Sequence, residues 1–379
     1  MSRKVVAGEH EPVRRHQARV AASCAGGSAA RGCVDRHDGI NPLVVSLGPL
    51  RLANPVLVAS GTFGYASELA GLVDVARLGG IVTKTVTVKP RPGNPPPRIV
   101  ETPAGMLNAI GLQNVGIDRF VTEKLPYLAG LDPVVLVSIM GYTTGEFVAL
   151  AERLDGLPGV DGLELNLSCP NVAYSAGGGA KMFAHEPELT AEAVRAVRAV
   201  TSLPVIAKLG PDVADIAAIG RAAEDAGADA LAVMNTIPGM VIDLERRRPV
   251  LANVTGGLSG PAIRPLAVRL TYQLAGAVNI PVVGIGGIMD HRDALQFLLA
   301  GASAVQVGTA TFTNPSAAVE VLDGLKGYLQ DTGVERIADL IGAAQPPAAK
   351  EGRNEPCHRA PVTGRRAPAV ERSRWRSSQ

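Results

Sequence analysis

The residue types best able to do chemistry meet in one short stretch, residues 166–171, which read NLSCPN. The stretch closes a segment in which leucines alternate with polar residues, the pattern of a β-strand. Pro170 cannot donate to a sheet, so the strand ends there and leaves the thiol of Cys169 between two amides. A thiol can act as a general base when its surroundings favour the thiolate. For a single cysteine taken alone, a buried and inert side chain is the competing interpretation.

The elements that must position this stretch repeat one unit, a short apolar strand followed by a loop and an Ala- and Leu-rich helical pattern. Strands that are apolar on both faces indicate a parallel sheet covered by helices. Eight such units in residues 43–342 predict a single (β/α)8 TIM barrel. A doubly wound open sheet is the alternative, but the pattern offers no topological switch point. The predicted strands are 56–60, 80–85, 134–140, 163–169, 205–209, 230–236, 282–286 and 304–308, and the helical patterns lie near 67–78, 117–129, 145–154, 187–201, 214–226, 262–277, 290–300 and 315–329.

In such a barrel, the carboxyl ends of the strands carry the chemistry. Lys84 and Lys208 end two of the predicted strands, and several amides end others. One buried lysine would more often be a structural ion pair, but two lysines, three amides and a thiol at one rim indicate a binding site. Glycine turns at 284–287 and 308–309 precede helical patterns and could present backbone N–H groups to a phosphate. A phosphate group beside two cations suggests flavin mononucleotide, FMN.

Composition narrows the remaining classes of function. A net charge of +2 gives no argument for a nucleic acid or membrane partner. No apolar run reaches the roughly 18 to 20 residues that span a bilayer. Among the four cysteines only Cys169 lies outside the terminal segments. The sequence therefore predicts neither a disulfide framework nor an iron–sulfur or other metal site, and a reducing cytoplasm is expected.

The two ends of the chain differ in composition from its body. Residues 1–42 are rich in Arg, Ala and Gly without periodicity, and residues 343–379 are rich in Pro and basic residues. Both are predicted to be disordered extensions around a single catalytic domain, residues 43–342. An Arg-rich targeting peptide is the alternative for the first segment, although its acidic residues argue against it.

The body of the chain resembles the dihydroorotate dehydrogenases, and specifically their class 1B catalytic subunits. Cysteine stands at position 169, where the membrane-bound class 2 enzymes use serine. The motifs MLNAIGLQN at 106–114 and VTGGLSGPAI at 254–263 are typical of class 1B rather than of the fumarate-linked class 1A. The matching stretches are ETPAGMLNAIGLQN at 101–114, NLSCPN at 166–171, AKLGP at 207–211, NTIPGMVIDLERRRPVLANVTGGLSGPAI at 235–263, GIGGI at 284–288 and VQVGTATF at 305–312.

This resemblance implies an enzyme that oxidises dihydroorotate to orotate in de novo pyrimidine biosynthesis. Cys169 would remove the C5 proton while FMN accepts hydride from C6. Electrons would leave for NAD⁺ through a partner subunit that carries FAD and a [2Fe–2S] cluster, around a homodimer core within a heterotetramer. Residues 172–185 form a glycine-rich loop after the catalytic turn and could act as a lid.

The resemblance also implies a role for each matching residue. Lys84 would contact both flavin and substrate, and Lys208 would lie beside the N1/O2 edge of the flavin. Asn171 would bind substrate, or could instead cap the turn after Pro170. The implied substrate-binding residues are Lys84, Asn108, Ala109, Ile110, Gly111, Leu112, Asn166, Asn171, Asn235 and Thr236. The implied cofactor-binding residues are Ser60, Lys84, Thr85, Ser138, Asn166, Lys208, Met234, Gly260, Gly286, Gly287, Gly308 and Thr309.

Other functions are possible on the same barrel. Lys208 could form a Schiff base in an aldolase-type enzyme, but this leaves Cys169, Lys84 and the amides without roles. Fumarate-linked dihydroorotate oxidases and dihydropyrimidine dehydrogenases are the flavoenzyme alternatives. Dihydrouridine synthases bind RNA and should show a basic face, which the net charge does not support. A non-enzymatic scaffold should lack rim residues, and the main ones are present.

Overall fold

The computed structural model describes residues 41–168 and 183–346. In these residues the strands are β1 Val45–Leu47, β2 Leu50–Leu52, β3 Val56–Val58, β4 Gly80–Val82, β5 Ile99–Thr102, β6 Gly105–Asn108, β7 Val134–Ile139, β8 Gly162–Asn166, β9 Val205–Leu209, β10 Ala230–Val233, β11 Ile237–Gly239, β12 Ile242–Asp243, β13 Arg248–Pro249, β14 Gly256–Ser259, β15 Val282–Ile285 and β16 Ala302–Val307. The helices are α1 Gly116–Arg119, α2 Leu125–Leu128, α3 Thr144–Leu154, α4 Pro187–Arg198, α5 Ile216–Asp225, α6 Arg264–Ala275, α7 His291–Ala300, α8 Ala310–Thr313 and α9 Ala317–Thr332.

Eight parallel strands close into a barrel, which confirms the predicted fold. Their order is β3, β4, β7, β8, β9, β10, β15 and β16, and β16 pairs with β3 to complete the circle. The register of β8 against β9 places Asn166 beside Lys208. Because carboxyl ends of parallel strands meet at one rim, the register brings these two polar side chains to the same place.

Helices surround the barrel much as the sequence predicts, and several begin at a side-chain cap. Thr143 accepts the N–H of Glu146 at the start of α3, and Asp215 and Asp290 cap α5 and α7 in the same way. Each cap satisfies backbone donors that the first helical turn leaves without a partner. These caps fix where the helices start relative to the preceding loops.

The prediction of a helix near residues 67–78 is wrong. The segment forms successive tight turns and one 3-10 turn, Val75–Arg77. Val73, Val75 and Leu78 are all buried. A helix places residues two apart on different faces, so it could not bury Val73 and Val75 together against one core. Burial of these side chains therefore overrides the helical pattern.

A four-stranded antiparallel sheet, not expected from the sequence, is built from two loops of the barrel. Its order is β11, β14, β6 and β5, so it joins the loop after β4 to the loop after β10. Leu107, Ala109 and Leu251 form its small apolar core. The sheet carries Asn108 and Ser259 toward the barrel's carboxyl-end rim, where both line a cavity.

The terminal predictions fall almost wholly outside the described residues, as do those for Cys169, Asn171 and most of the loop 172–185. At the last described residues the chain still contacts the barrel. The N–H of Ala344 donates to the carbonyl of Leu299, and the Gln345 amide donates to the carbonyls of Tyr272 and Ala300. The folded body thus extends beyond residue 342.

None of the helices in the described part of the chain is both long and apolar enough to span a membrane.

Candidate active site

One cavity opens at the carboxyl ends of the barrel strands. Seven of the eight barrel strands, or the residues directly after them, contribute to its lining, and β7 is the exception. The empty space measures about 1230 Å³, counting the part that opens to solvent. Small-molecule and cofactor sites are typically concave and combine a few polar groups with apolar ones, and the lining of this cavity has that character.

Lys208, on β9, brings a buried positive charge to the cavity. Its ammonium nitrogen lies 3.1 Å from the hydroxyl of Ser60 and 3.3 Å from a carboxylate oxygen of Glu164. The other oxygen of Glu164 accepts a hydrogen bond of 2.7 Å from the side-chain amide of Gln306. Lys208 is only 4% exposed and Glu164 not at all. Lys208, Glu164 and Gln306 therefore form a series of hydrogen-bonded side chains that runs from the cavity wall into the barrel interior.

The amides of the cavity are held by one hydrogen-bond network. The Asn235 amide donates to the Ser168 carbonyl at 2.7 Å and to the Asn166 side-chain oxygen at 3.3 Å. The Asn166 amide in turn donates to the hydroxyl of Thr85 at 3.3 Å. Each amide is thus oriented by its neighbours, and both asparagines line the cavity.

Two residues predicted for the site do not line the cavity. Ser138 is fully buried behind Thr85, and the two hydroxyl oxygens lie 2.9 Å apart. It can act on a ligand only by orienting Thr85. Ala109 is also buried, and both its backbone groups are engaged: its N–H donates to Arg98, and its carbonyl accepts from Asn94. Direct contacts of these two residues with a ligand stay predictions from the sequence, and the cavity lining does not support them.

The segment after Ala109 does reach the cavity, with Ile110, Gly111 and Leu112 on its wall. Gly111 and Leu112 both have positive φ, 72° and 55°, which makes the chain turn sharply here. The guanidinium of Arg91 donates to the Gly111 carbonyl at 3.2 Å. Asn108, just before the turn, donates to the Gly257 carbonyl on β14. This segment is thus held by Arg91 and, through Asn108, by the unpredicted sheet.

Glycine turns form another part of the wall. Gly260, Gly286 and Gly287 have φ of 96°, 129° and 73°, a region that other residues rarely adopt. A Cβ atom on Gly287 would lie 2.7 Å from the Cβ of Arg264, closer than real Cβ contacts. The Asp293 carboxylate pairs with Arg264 and accepts the N–H of Met289 at 2.9 Å. This carboxylate braces the turn that follows β15.

A comparison with protein families matches residues 43–329 of this chain to the dihydroorotate dehydrogenase model. The chain is 55% identical over 301 residues, 79% of its length, to a protein of Trichlorobacter lovleyi named "Dihydroorotate dehydrogenase B (NAD(+)), catalytic subunit", and the match covers 98% of that protein. A protein of Desulforudis audaxviator with the same name is 57% identical over 300 residues, which are 79% of this chain and 96% of that protein. The chain belongs to the dihydroorotate dehydrogenase family.

A solved structure carries the same fold. The dihydroorotate dehydrogenase of Eimeria tenella, crystallised in complex with ferulenol, superposes with a TM-score of 0.67 at 23% identity. The match covers 83% of this chain and 91% of that one. This structural match confirms the fold, while the family model and the relatives in Trichlorobacter and Desulforudis confirm the predicted family and its class 1B branch.

Within this dihydroorotate dehydrogenase fold, all the predicted site residues that the structure describes line the cavity, apart from Ser138 and Ala109. Cys169 and Asn171 lie outside the described residues. The last residue before Cys169 is Ser168, which is buried and whose carbonyl is held by Asn235. No group of three or more metal-ligating side chains occurs in residues 41–168 and 183–346.

Two groups of residues at the site were not predicted from the sequence. They are Glu164 and Gln306 beneath the cavity, and several apolar residues of its lining. A signal for Glu164 was present, because it alternates with Asn166 and Ser168 on one side of a strand. Gln306 gave no comparable signal, since it stands among apolar residues of β16. The apolar residues not predicted are Ile99, Met106, Ile263, Ile285, Ile288, Met289 and Phe312.

Proposed function

We propose that this chain is the catalytic subunit of an NAD⁺-linked dihydroorotate dehydrogenase that binds FMN and oxidises dihydroorotate to orotate. The observation that carries the proposal is the meeting of two lysines, three asparagines and five positive-φ glycines in one cavity. The lysines suit an anionic cofactor and substrate, and the asparagines suit the ring amides of a dihydropyrimidine. The name of the relatives in Trichlorobacter and Desulforudis supports the same activity.

The residues present fit FMN. A side chain at Gly260 or Gly287 would collide with neighbouring backbone, so these tight turns need glycine. The backbone N–H groups of such turns, which line the cavity, would bind a phosphate. The buried ammonium of Lys208 would stabilise negative charge on the ring system in a site of low dielectric constant. FMN bound in this cavity would supply the hydride acceptor. The residues proposed to hold it are Ser60, Lys84, Thr85, Asn166, Lys208, Met234, Gly260, Gly286, Gly287, Gly308 and Thr309.

The substrate site is proposed on the side of the cavity formed by the asparagines. Asn108, Asn166 and Asn235 would pair with the ring amides, and Thr236 with the backbone of residues 110–112 would bind the carboxylate. The Asn235 side-chain oxygen already accepts the N–H of Thr236 at 2.8 Å, so its orientation is set before substrate binds. Lys84 would attract the substrate's negative charge. Prior orientation of this kind lowers the cost of reaching the transition state.

Cys169 is proposed as the base that removes the C5 proton of dihydroorotate. It directly follows Ser168 in the sequence. The Asn235 side chain donates to the Ser168 carbonyl, so a hydrogen bond joins the residue before the proposed base to a residue proposed to bind substrate. Asn171 as a substrate ligand and residues 172–185 as a lid stay predictions from the sequence. A reducing cytoplasm is the compartment we expect, since the base must remain a free thiol.

Delivery of electrons to NAD⁺ is proposed to need a second subunit that carries FAD and a [2Fe–2S] cluster. The words "catalytic subunit" in the relatives' name support a partner. The sequence of this chain supplies only Cys169 within its barrel, too few thiolates for a cluster. A homodimer of this chain is the proposed core of the assembly.

Purified chain tests the proposal directly. The bound flavin should be FMN, and dihydroorotate should bleach it without oxygen. With the partner absent, dihydroorotate should reduce artificial acceptors but reduce NAD⁺ poorly, and adding the partner should restore NAD⁺ reduction. Steady reduction of fumarate would point instead to the fumarate-linked class. A colourless chain that no added FMN reconstitutes would contradict the proposal altogether.

A further inference from the structure

Glu164 is a buried carboxylate to which neither the family comparison nor the proposed reaction assigns a role. It lies on β8, two residues before Asn166, and faces the barrel interior below the cavity. Its two oxygens have different partners, the Lys208 ammonium at 3.3 Å and the Gln306 amide at 2.7 Å. Glu164 itself does not line the cavity, whereas Lys208 does. Any effect of Glu164 on a ligand must therefore pass through Lys208 or through space.

A purely structural ion pair is an unsatisfactory account of this carboxylate. Removing two charges from water costs several kcal/mol for each ion, and apolar replacements of such pairs are often at least as stable. Leu163 and Leu165, which alternate with Glu164 along β8, are fully buried on the other face of the strand, so Glu164 is the β8 residue that brings a charge into the barrel interior. The carboxylate is also held on its far side by Gln306, so its position is fixed from both directions. Such an arrangement suits a group whose charge must act at a set distance.

We propose that Glu164 is a positioning residue that holds the Lys208 ammonium at the cavity wall and offsets part of its charge toward the bound flavin. The inference rests on the proposed binding of FMN. Gln306 fixes the carboxylate, and Ser60 fixes the ammonium on its cavity side at 3.1 Å. The pair thereby limits how strongly the site favours reduced, negatively charged flavin over oxidised flavin.

The expected direction of the effect follows from Coulomb's law. In Glu164→Gln, Ser60 and the new amide oxygen can still accept from the ammonium, which keeps its place beside the cavity but loses its negative partner. Extra positive charge favours the more negative redox state, so reduced flavin should bind more tightly relative to oxidised flavin. We expect this ratio to change by about tenfold, which raises the midpoint potential of a two-electron couple by ~30 mV.

The test measures the midpoint potential of the flavin in the holoprotein by equilibration with a dye of known potential. A matched control is Asp229→Asn, which removes the carboxylate of the Arg198–Asp229 ion pair just ahead of β10, at the other end of the barrel. It should lower stability and leave the potential unchanged. A rise with Glu164→Gln and none with Asp229→Asn would support the inference. An unchanged or lowered potential with Glu164→Gln would overturn it.

A double-mutant cycle tests whether Lys208 carries the effect. In the Lys208→Gln background there is no ammonium for Glu164 to hold or to offset, so Glu164→Gln should shift the potential far less than in the native chain. An equal shift in both backgrounds would overturn the role of Lys208. If Glu164→Gln fails to fold or to hold flavin, Glu164→Asp replaces it. That variant withdraws the carboxylate by one methylene, and it should raise the potential by a smaller amount; no rise would refute the inference.

These outcomes are separable from failure of the proposed function. If the native chain binds no flavin, the function proposal itself fails. If the native chain binds FMN and dihydroorotate bleaches it, but the variants leave the potential unchanged, only the role of Glu164 is lost.

Discussion

The two ends of the barrel both contain partly or fully buried polar groups, but the groups have different partners. At the amino end, Asp229 accepts from Arg198 and from the N–H of Val205, and Asp161 accepts the N–H of Val135. These carboxylates satisfy backbone donors at the starts of neighbouring strands. At the carboxyl end, Asn166 and Lys208 bond mainly to other side chains around an open cavity. Polarity at the amino end serves the fold, and polarity at the carboxyl end is available to a ligand.

Similar polar residue types therefore divide between stability and ligand binding according to where they lie. Asp161 and Asp229 lie away from the cavity and accept backbone N–H groups of the fold, whereas Asn166, Asn235 and Lys208 line the cavity. Substitutions at the carboxyl end should therefore change binding and rate, while those at the amino end should change the free energy of unfolding.

Cys169→Ala should produce the largest effect, at the carboxyl end. Removing a general base typically slows its step by ~10²–10⁴-fold. Flavin should remain bound, because the thiol has no part in the proposed phosphate site. Stopped-flow measurement of flavin bleaching by dihydroorotate checks this, with Cys357→Ala as the matched cysteine control. Rapid bleaching of the Cys169→Ala variant at neutral pH would show that the base lies elsewhere.

A pair of glycine substitutions compares the two ends directly. Gly287 has φ of 73° on the cavity wall, and Gly159 has φ of 87° ahead of β8 at the amino end. An added Cβ would lie 2.7 Å from Arg264 in the first case and 2.6 Å from Ala129 in the second. Strain of this kind costs about 1–3 kcal/mol, so Gly287→Ala should weaken FMN binding about 5- to 150-fold.

Gly159→Ala should carry a similar strain but lower only the melting temperature of the apoprotein. Titration of apoprotein with FMN, followed by flavin fluorescence, measures the affinity in both variants. Equal loss of FMN affinity in the two variants would remove the distinction between the ends.

Asp229→Asn should affect stability alone. It removes the charge that pairs with Arg198 at 3.0 Å and weakens the bond to the N–H of Val205. Hydrogen bonds to charged groups contribute about 1.5–3 kcal/mol, and since both side chains are 28% exposed we expect the lower end of that range. Urea unfolding measures the change. A fall in kcat/KM for dihydroorotate without a fall in stability would contradict the assignment of this end to the fold.

Gln345→Ala should have the smallest effect. Its amide donates at 2.8 Å to both the Tyr272 carbonyl near the end of α6 and the Ala300 carbonyl at the end of α7. Loss of these bonds should cost about 0.5–1.5 kcal/mol, seen as a small fall in the urea midpoint with flavin binding unchanged. An unaltered midpoint would show that residue 345 adds nothing to the folded body.

The sequence by itself determined the barrel, the family and most of the cavity wall. Each of the eight predicted barrel strands is present, because short β-branched apolar runs separated by loops allow few other structures. Lys84, Lys208 and two of the asparagines, Asn166 and Asn235, stand at or just after the ends of such runs, so their place at one rim followed from the fold class alone. The long motifs made the family recognisable without any structure.

The tertiary structure decided what depends on contacts between distant parts of the chain. Glu164 meets Gln306 across 142 positions of sequence, a pairing that only the closure of the barrel creates. Ser138 stands on β7, where five of six residues are buried, so no alternation revealed that its hydroxyl faces Thr85 rather than the cavity. The turns at 67–78 and the sheet around Asn108 likewise formed because burial and strand pairing between distant loops outweigh local propensity. Local pattern fixes where a strand runs, but the register between strands fixes which of its side chains reach the site.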